Sequence, residues 1–318
     1  MIIGEEEEGE EDHQQQNQQD ALPNMGIRRL NKDLLSKSVP NDVMVPLEEL
    51  TLFVDPLDGT REFVEGRLSN VACLIGIARQ DRPIAGVIGL PFPDGTWESD
   101  VSVLYALSDL PAWNGTWSPA KQTTTVESSP AVEDEPTSSS SPASSTFSSS
   151  LGRVTILTGD SNNPVLVNAT RCALSLAKQQ QQQHDQESTL PIHSIIGGTA
   201  AKLRMVATEP DMLAITHFQT ELWDTCAPEA LITARGGTIT DLFGTRLVHA
   251  PNRPFGNIFG VVASSGGSRM RQLHEELCAT MRADSESVRT LFANYLGQPT
   301  ITETQAMDAA NKYWTDNK

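Results

Sequence analysis

Residues 52–66 read LFVDPLDGTREFVEG, and the acids in this stretch could do chemistry. An apolar run stops on Asp55, a second acid follows at Asp58, and Gly59-Thr60 comes directly after. Pro56 fixes its own φ and biases Asp55 towards extended backbone. Asp58-Gly59-Thr60 can then turn the chain into the short helical pattern TREFVEG. In that geometry the two carboxylates and the Leu57 carbonyl face one point beyond the strand end, and the first N–H groups of the helix point there too. Free N–H groups at a helix start favour phosphate. Hard oxygen ligands suit Mg²⁺, which commonly takes one or two carboxylates plus substrate phosphate. A plain turn with an Asp N-cap uses the same residues, so both readings stand at this point.

Two further stretches place acids comparably. WDTCAP (223–228) puts Asp224 just before an expected helix start, and MIIGEE (1–6) ends an apolar run on Gly4 and Glu5. Taken singly, Asp224 is equally a cap, and the N-terminal acids are equally a solvated tail.

The elements that must position these acids are legible as a pattern. VACLIGIAR (71–79) and PIAGVIGLPF (83–92) read as two strands joined by the turn QDRP. RVTILTG (153–159) reads as a buried strand, and NPVLVNATRCALSLAK (163–178) has helical spacing. TAAKLRMVA (199–207) predicts a helix entered through Gly197-Gly198, and MLAIT (212–216) a strand. APEALITARGG (227–237) places Pro228 in a helix's first turn and Gly236-Gly237 past its end. TITDLFG (238–244) follows as strand and turn. A hairpin-bearing first half and an alternating second half predict an α/β protein of two layers with a cleft between them. The division falls at 1–152, a metal-binding α+β half, and 153–318, an α/β half completing the site.

Composition narrows the function. The 318 residues carry a formal net charge of -18, part of it concentrated in Glu5, Glu6 and the acids after them. Such a chain is a poor partner for nucleic acid or anionic membrane, and phosphates would be handled through bound cations. No apolar run approaches the roughly 18 residues of a membrane helix, and the start reads as no signal peptide. Cys73, Cys172, Cys226 and Cys278 form no C-x-x-C pair and read as reduced, buried thiols of a cytoplasmic protein. The glutamine-rich stretches at 14–19 and 179–184 and the Ser/Thr/Pro-rich stretch at about 119–150 read as disordered insertions, too poor in apolar residues to offset their ordering entropy.

The segments VDPLDGTREFVEGRLSNVACLIGIARQDRPIAGVIGLPF and WDTCAPEALITARGGTITDLFG, with IIGEE ahead of them, together resemble the inositol monophosphatase superfamily of magnesium-dependent, lithium-sensitive phosphatases. The wording is nearest to the branch that removes the 3'-phosphate of adenosine 3',5'-bisphosphate. The resemblance implies a layered αβαβα sandwich and two or more Mg²⁺ per site. It implies Glu5, Asp55, the Leu57 carbonyl, Asp58 and Asp224 as ligands, with Glu6 as an alternative to Glu5. Thr60 would orient the attacking water, beside Gly59. LTGDSN (157–162) implies substrate contacts from Thr158 and Ser161, and GGTAAK (197–202) from Gly198 and Lys202. An exposed helix lysine is an equal reading of Lys202. Two departures stand out. Glu221-Leu222 precedes Trp223 where the family has basic residues, and the resemblance leads to the expectation of a helical segment ahead of IIGEE, with an aspartate partner for the threonine of D-P-x-D-G-T, so that the sequence is either a fragment or works without that segment. An inositol phosphatase and a metal-binding protein without turnover are the rival readings.

Overall fold

The computed structural model describes residues 1–4, 45–108, 114–117, 125–126, 152–184 and 190–317. Glu5, Glu6, the 14–19 stretch and all of 119–150 except 125–126 lie outside the described residues.

Strict alternation builds the first sheet. In Ala72–Arg79 (β3) the residues at 72, 74, 76 and 78 are buried while Cys73 and Ile75 are exposed, the period of two that a strand imposes. Its strands are Ile2–Gly4 (β1), Leu50–Asp58 (β2), β3, Arg82–Leu90 (β4), Ser102–Leu107 (β5), Asn114–Trp117 (β6) and Thr125–Val126 (β7), in sequence order. β1 runs parallel to β2, and the later neighbours are antiparallel. The β3–β4 turn places Gln80 and Asp81 at φ 49° and 67°, the left-handed pair that a tight hairpin of this hand needs.

The second sheet contains Thr155–Thr158 (β8), Ile192–Ile195 (β9), Met212–Thr216 (β10), Thr238–Thr240 (β11) and Val261–Ser264 (β12), in the order β11-β12-β10-β8-β9. β9, β8 and β10 are parallel, and β12 is antiparallel to both of its neighbours.

After the short helix Thr60–Val64 (α1), the helices are Pro164–His184 (α2), Thr199–Thr208 (α3), Leu222–Ala234 (α4), Ser268–Ala283 (α5), Ser285–Tyr295 (α6) and Glu303–Asp316 (α7). Helices α3 and α4 lie between the sheets. A single buried cluster there joins Leu74, Ile88 and Leu104 of the first sheet to Leu157, Ala214 and Val261 of the second through Leu203 and Leu231. On the far face of the second sheet, α2, α5, α6 and α7 enclose another cluster around Phe243, Phe259 and Phe292. The described residues therefore form a layered α/β fold, with sheet, helices, sheet and helices in sequence.

The approach of α4 to the first sheet depends on two glycines. A Cβ at Gly76 would sit 2.5 Å from Cys226 Sγ, and one at Gly86 would collide with the Ala227 carbonyl. Any side chain there would lift the helix off the sheet.

Several expectations are corrected. The glutamine stretch 179–184 is the end of α2, with Gln180 and Gln181 buried and Gln180 donating to Glu276 at 3.3 Å. Glutamine is a good helix former, and here the preceding amphipathic turns supply the packing. Thr125–Val126, within the serine-rich stretch, pairs with β6. All four cysteines are free thiols, but Cys73 is exposed on the outer face of β3 and Cys172 is half-buried.

Candidate metal and phosphate site

Asp55 and Asp58 close β2, and Asp224 lies in the first turn of α4. One carboxylate oxygen from each lies within 4.8 Å of the others, although the last acid is far along the chain from the first two. Asp55 and Asp58 are buried and Asp224 is half-buried. Local geometry fixes each one. Asp55 Oδ1 accepts from Leu57 N–H at 2.9 Å, closing a turn around Pro56. Asp58 Oδ2 accepts from Ala200 N–H at 3.0 Å, which ties β2 to the start of α3. Asp224 Oδ2 accepts from Glu221 N–H at 2.7 Å, closing a capping box in which Glu221 is the N-cap of α4, so the same acid fixes the helix start and faces the cluster.

Buried acids this close repel one another, and burial together with Asp58 and Asp55 pushes the Asp224 carboxyl up to about 8. A divalent cation relieves that repulsion, and oxygen-only donors suit a hard ion. The donor set therefore fits a metal.

A glycine turn roofs the cluster. Gly198 has φ 74°, and a Cβ on it would lie 3.3 Å from Asp58 Oδ2 and 2.8 Å from Asn70 O. A Cβ on Gly197 would run into the Glu62 carboxylate. Lys202 neither lies exposed nor reaches outward. It is 1% exposed, and its ammonium donates to Ile196 O at 3.1 Å and Gly198 O at 2.5 Å, holding the turn from below. Burial lowers its pKa, against the pull of Asp58 and Glu62.

The Leu57 carbonyl accepts the Thr60 hydroxyl at 3.2 Å, and Gly59 takes φ 82° ahead of α1. Thr158 Oγ1 lies 2.9 Å from His193 Nε2, and Ser161 Oγ accepts from Asn163 N–H at 3.2 Å. Thr158 ends β8 and Ser161 follows it, and neither belongs to the carboxylate cluster.

Residues 2–286 match the model of the inositol monophosphatase family. The chain belongs to that family. It is 27% identical over 240 residues to 3'(2'),5'-bisphosphate nucleotidase 1 of Dictyostelium discoideum, covering 73% of this chain and 64% of that protein. It is 25% identical over 226 residues to the Golgi-resident adenosine 3',5'-bisphosphate 3'-phosphatase of Rattus norvegicus, covering 69% and 49%. The chain thus spans less than two thirds of the length of these relatives. Among solved structures, an inositol monophosphatase from Zymomonas mobilis aligns with TM-score 0.44 at 18% identity, covering 73% and 72%. Among the described residues, no helix is long and apolar enough to cross a membrane.

Sequence reasoning misses Glu62 in this member of the inositol monophosphatase family. Its buried carboxylate is gripped by Arg67 at 2.6 and 2.7 Å and by Asn70 at 3.1 Å, with Gly197 directly against it. The Arg67 guanidinium holds it below the usual carboxylate range. It pins the 66–70 loop to the glycine turn. No spacing rule signals a contact between segments so far apart. The start of α4 also differs from the expectation that Pro228 sits in a first turn. The Glu221–Asp224 capping box starts the helix at Leu222 and leaves Pro228 inside it, unable to donate to the Asp224 carbonyl.

Proposed function

We propose that the protein is a magnesium-dependent phosphomonoesterase that removes the 3'-phosphate of adenosine 3',5'-bisphosphate, leaving AMP. The observation carrying this reading is the convergence of Asp55, Asp58 and Asp224 from two distant elements into one oxygen-donor cluster. Membership of the inositol monophosphatase family supports the reaction class, and the names of the relatives support the nucleotide.

In this reading Asp55, Asp58, Asp224 and the Leu57 carbonyl hold the cation, with Glu5 as a further ligand. When bound, magnesium would neutralise phosphoryl charge and lower the pKa of water. The chain's own residues do the rest. Thr60 orients the attacking water, and its hydroxyl proton already points to Leu57 O. Gly198 lets backbone approach the phosphate where a side chain would block it. Lys202 acts on substrate through the turn it holds, because its donors go to Ile196 and Gly198 carbonyls. Thr158 and Ser161 contact the nucleotide from the end of β8. Lithium inhibition is expected, as the resemblance implies.

The test is phosphate release from adenosine 3',5'-bisphosphate and from inositol 1-phosphate at saturating Mg²⁺. The nucleotide should give the higher kcat/KM. Better use of inositol 1-phosphate would overturn the substrate and keep the chemistry. Lys202→Met should lower kcat and raise KM together, because a loosened turn disturbs both Asp58 and the phosphate. A change in KM alone would make Lys202 a simple binding contact.

A further inference from the structure

A concavity that none of the three clustered aspartates lines lies between the 246–260 segment and the last two helices. It has a volume of about 210 Å³. The family match stops at 286, so Tyr295 at the end of α6 and Tyr313 in α7 come from beyond it. Helices α6 and α7 close the space on that side.

Arg253 supplies the charge in this space. It is half-buried, and its Nη1 donates to the Val248 carbonyl at 3.2 Å. Among the described residues no carboxylate pairs with it. Arg246, in the same lining, is spent on Asp81 through bonds of 3.2 and 3.0 Å. The Arg253 fork therefore keeps donors for a guest, and a guanidinium fork matches carboxylate and phosphate oxygens.

Three packed aromatic rings, Phe259, Tyr295 and Tyr313, form part of the lining. Phe259 lies with its ring centroid 5.4 Å from Tyr295 and 4.7 Å from Tyr313. Tyr313 donates its hydroxyl to Asp241 Oδ2 at 3.0 Å, and Asp241 Oδ1 accepts from Phe243 and Thr245 N–H at 2.9 and 2.8 Å. The carboxylate of Asp241 is thus satisfied from within the protein. Asn257 is held on the other wall, its side chain donating to Glu221 O at 2.9 Å and its backbone to Thr220 O at 2.7 Å. The concavity is preformed, which lowers the ordering cost of binding.

We propose that this concavity binds a small anion carrying one planar ring, an aryl carboxylate or aryl phosphate. Its charge would lie on Arg253 and its ring against Tyr295 and Tyr313. Sites for drug-sized ligands run from roughly 300 Å³ upward, so the space here suits a single ring and its acidic group. The inference stands apart from the phosphatase reading.

Fluorine NMR on the whole chain tests it, with para-fluorobenzoate and the hydrolysis-proof para-fluorophenylphosphonate as probes and para-fluorobenzyl alcohol as neutral control. At least one anion should broaden and shift saturably, and the alcohol should not. The two anions separate carboxylate from phosphate preference. Arg253→Gln should weaken binding about tenfold or more, as expected for loss of a charged hydrogen bond. Tyr295→Ala, on the half-exposed rim, should weaken it as well and guards against misfolding of the first variant. Chelator and Asp58→Asn should leave the binding unchanged. Equal binding by both variants, no saturable binding of either anion, or loss with chelator would overturn the proposal.

Discussion

Glu229, within α4, and His249 are both buried, with Glu229 Oε2 3.6 Å from His249 Nδ1. Burial pushes the Glu229 carboxyl up to about 8 and the His249 imidazole down to about 3, so both are neutral near pH 7. A carboxyl whose folded pKa lies above its unfolded value contributes most at low pH, and that contribution is lost as pH rises towards the folded pKa. Glu229→Gln should therefore melt like the wild type near pH 4 and progressively higher than it from pH 5 to pH 8. The gain by pH 8 is on the order of 2–4 kcal/mol, since each tenfold difference in proton affinity between folded and unfolded chains is worth about 1.4 kcal/mol. Thermal unfolding across that pH range checks it, and a pH-independent difference would show that Glu229 is ionised in the fold. His249 also lies 3.1 Å from the Thr225 hydroxyl, next to Asp224, so this neutral pair helps hold the helix start.

At the scale of elements, α4 carries Asp224 to the end of β2 because Gly76 and Gly86 let it lie directly on β3 and β4. Gly86→Ala should destabilise the protein by roughly 1–3 kcal/mol, the usual cost of overpacking, seen as a lower denaturation midpoint. An unchanged midpoint would mean that α4 can shift freely, and Asp224 with it. These elements also show what the sequence makes legible. The strands and the D-P-L-D-G-T turn can be read because period-two burial and Pro-Gly turn chemistry are local. The meeting of Asp224 with Asp55 and Asp58 is legible only through resemblance, since no local pattern encodes a contact between the end of a strand and a helix so far along the chain. The true start of α4 escapes a reading that weighs the proline above the Glu221–Asp224 capping box. The glutamine stretch escapes one that weighs composition without the helix it extends.

Across the whole molecule, the inner face of the first sheet is covered by α3 and α4, while its outer face exposes Ile2, Cys73 and Ile75. Val71, which precedes β3, is buried and closes a turn with Leu68 O. Among the described residues this apolar face is uncovered, and an exposed apolar face promotes association. Ile75→Lys should reduce light scattering of the chain at fixed concentration while leaving its melting temperature nearly unchanged. Unchanged scattering would contradict association through this face. The central claim is that Asp55, Asp58 and Asp224 form one divalent-metal site. A titration of Mn²⁺, followed by its electron paramagnetic resonance signal, tests this without requiring turnover. The wild type should bind Mn²⁺ saturably in competition with Mg²⁺, and Asp58→Asn, with the same circular dichroism, should lose most of that binding. Equal Mn²⁺ binding by the two proteins would contradict the account.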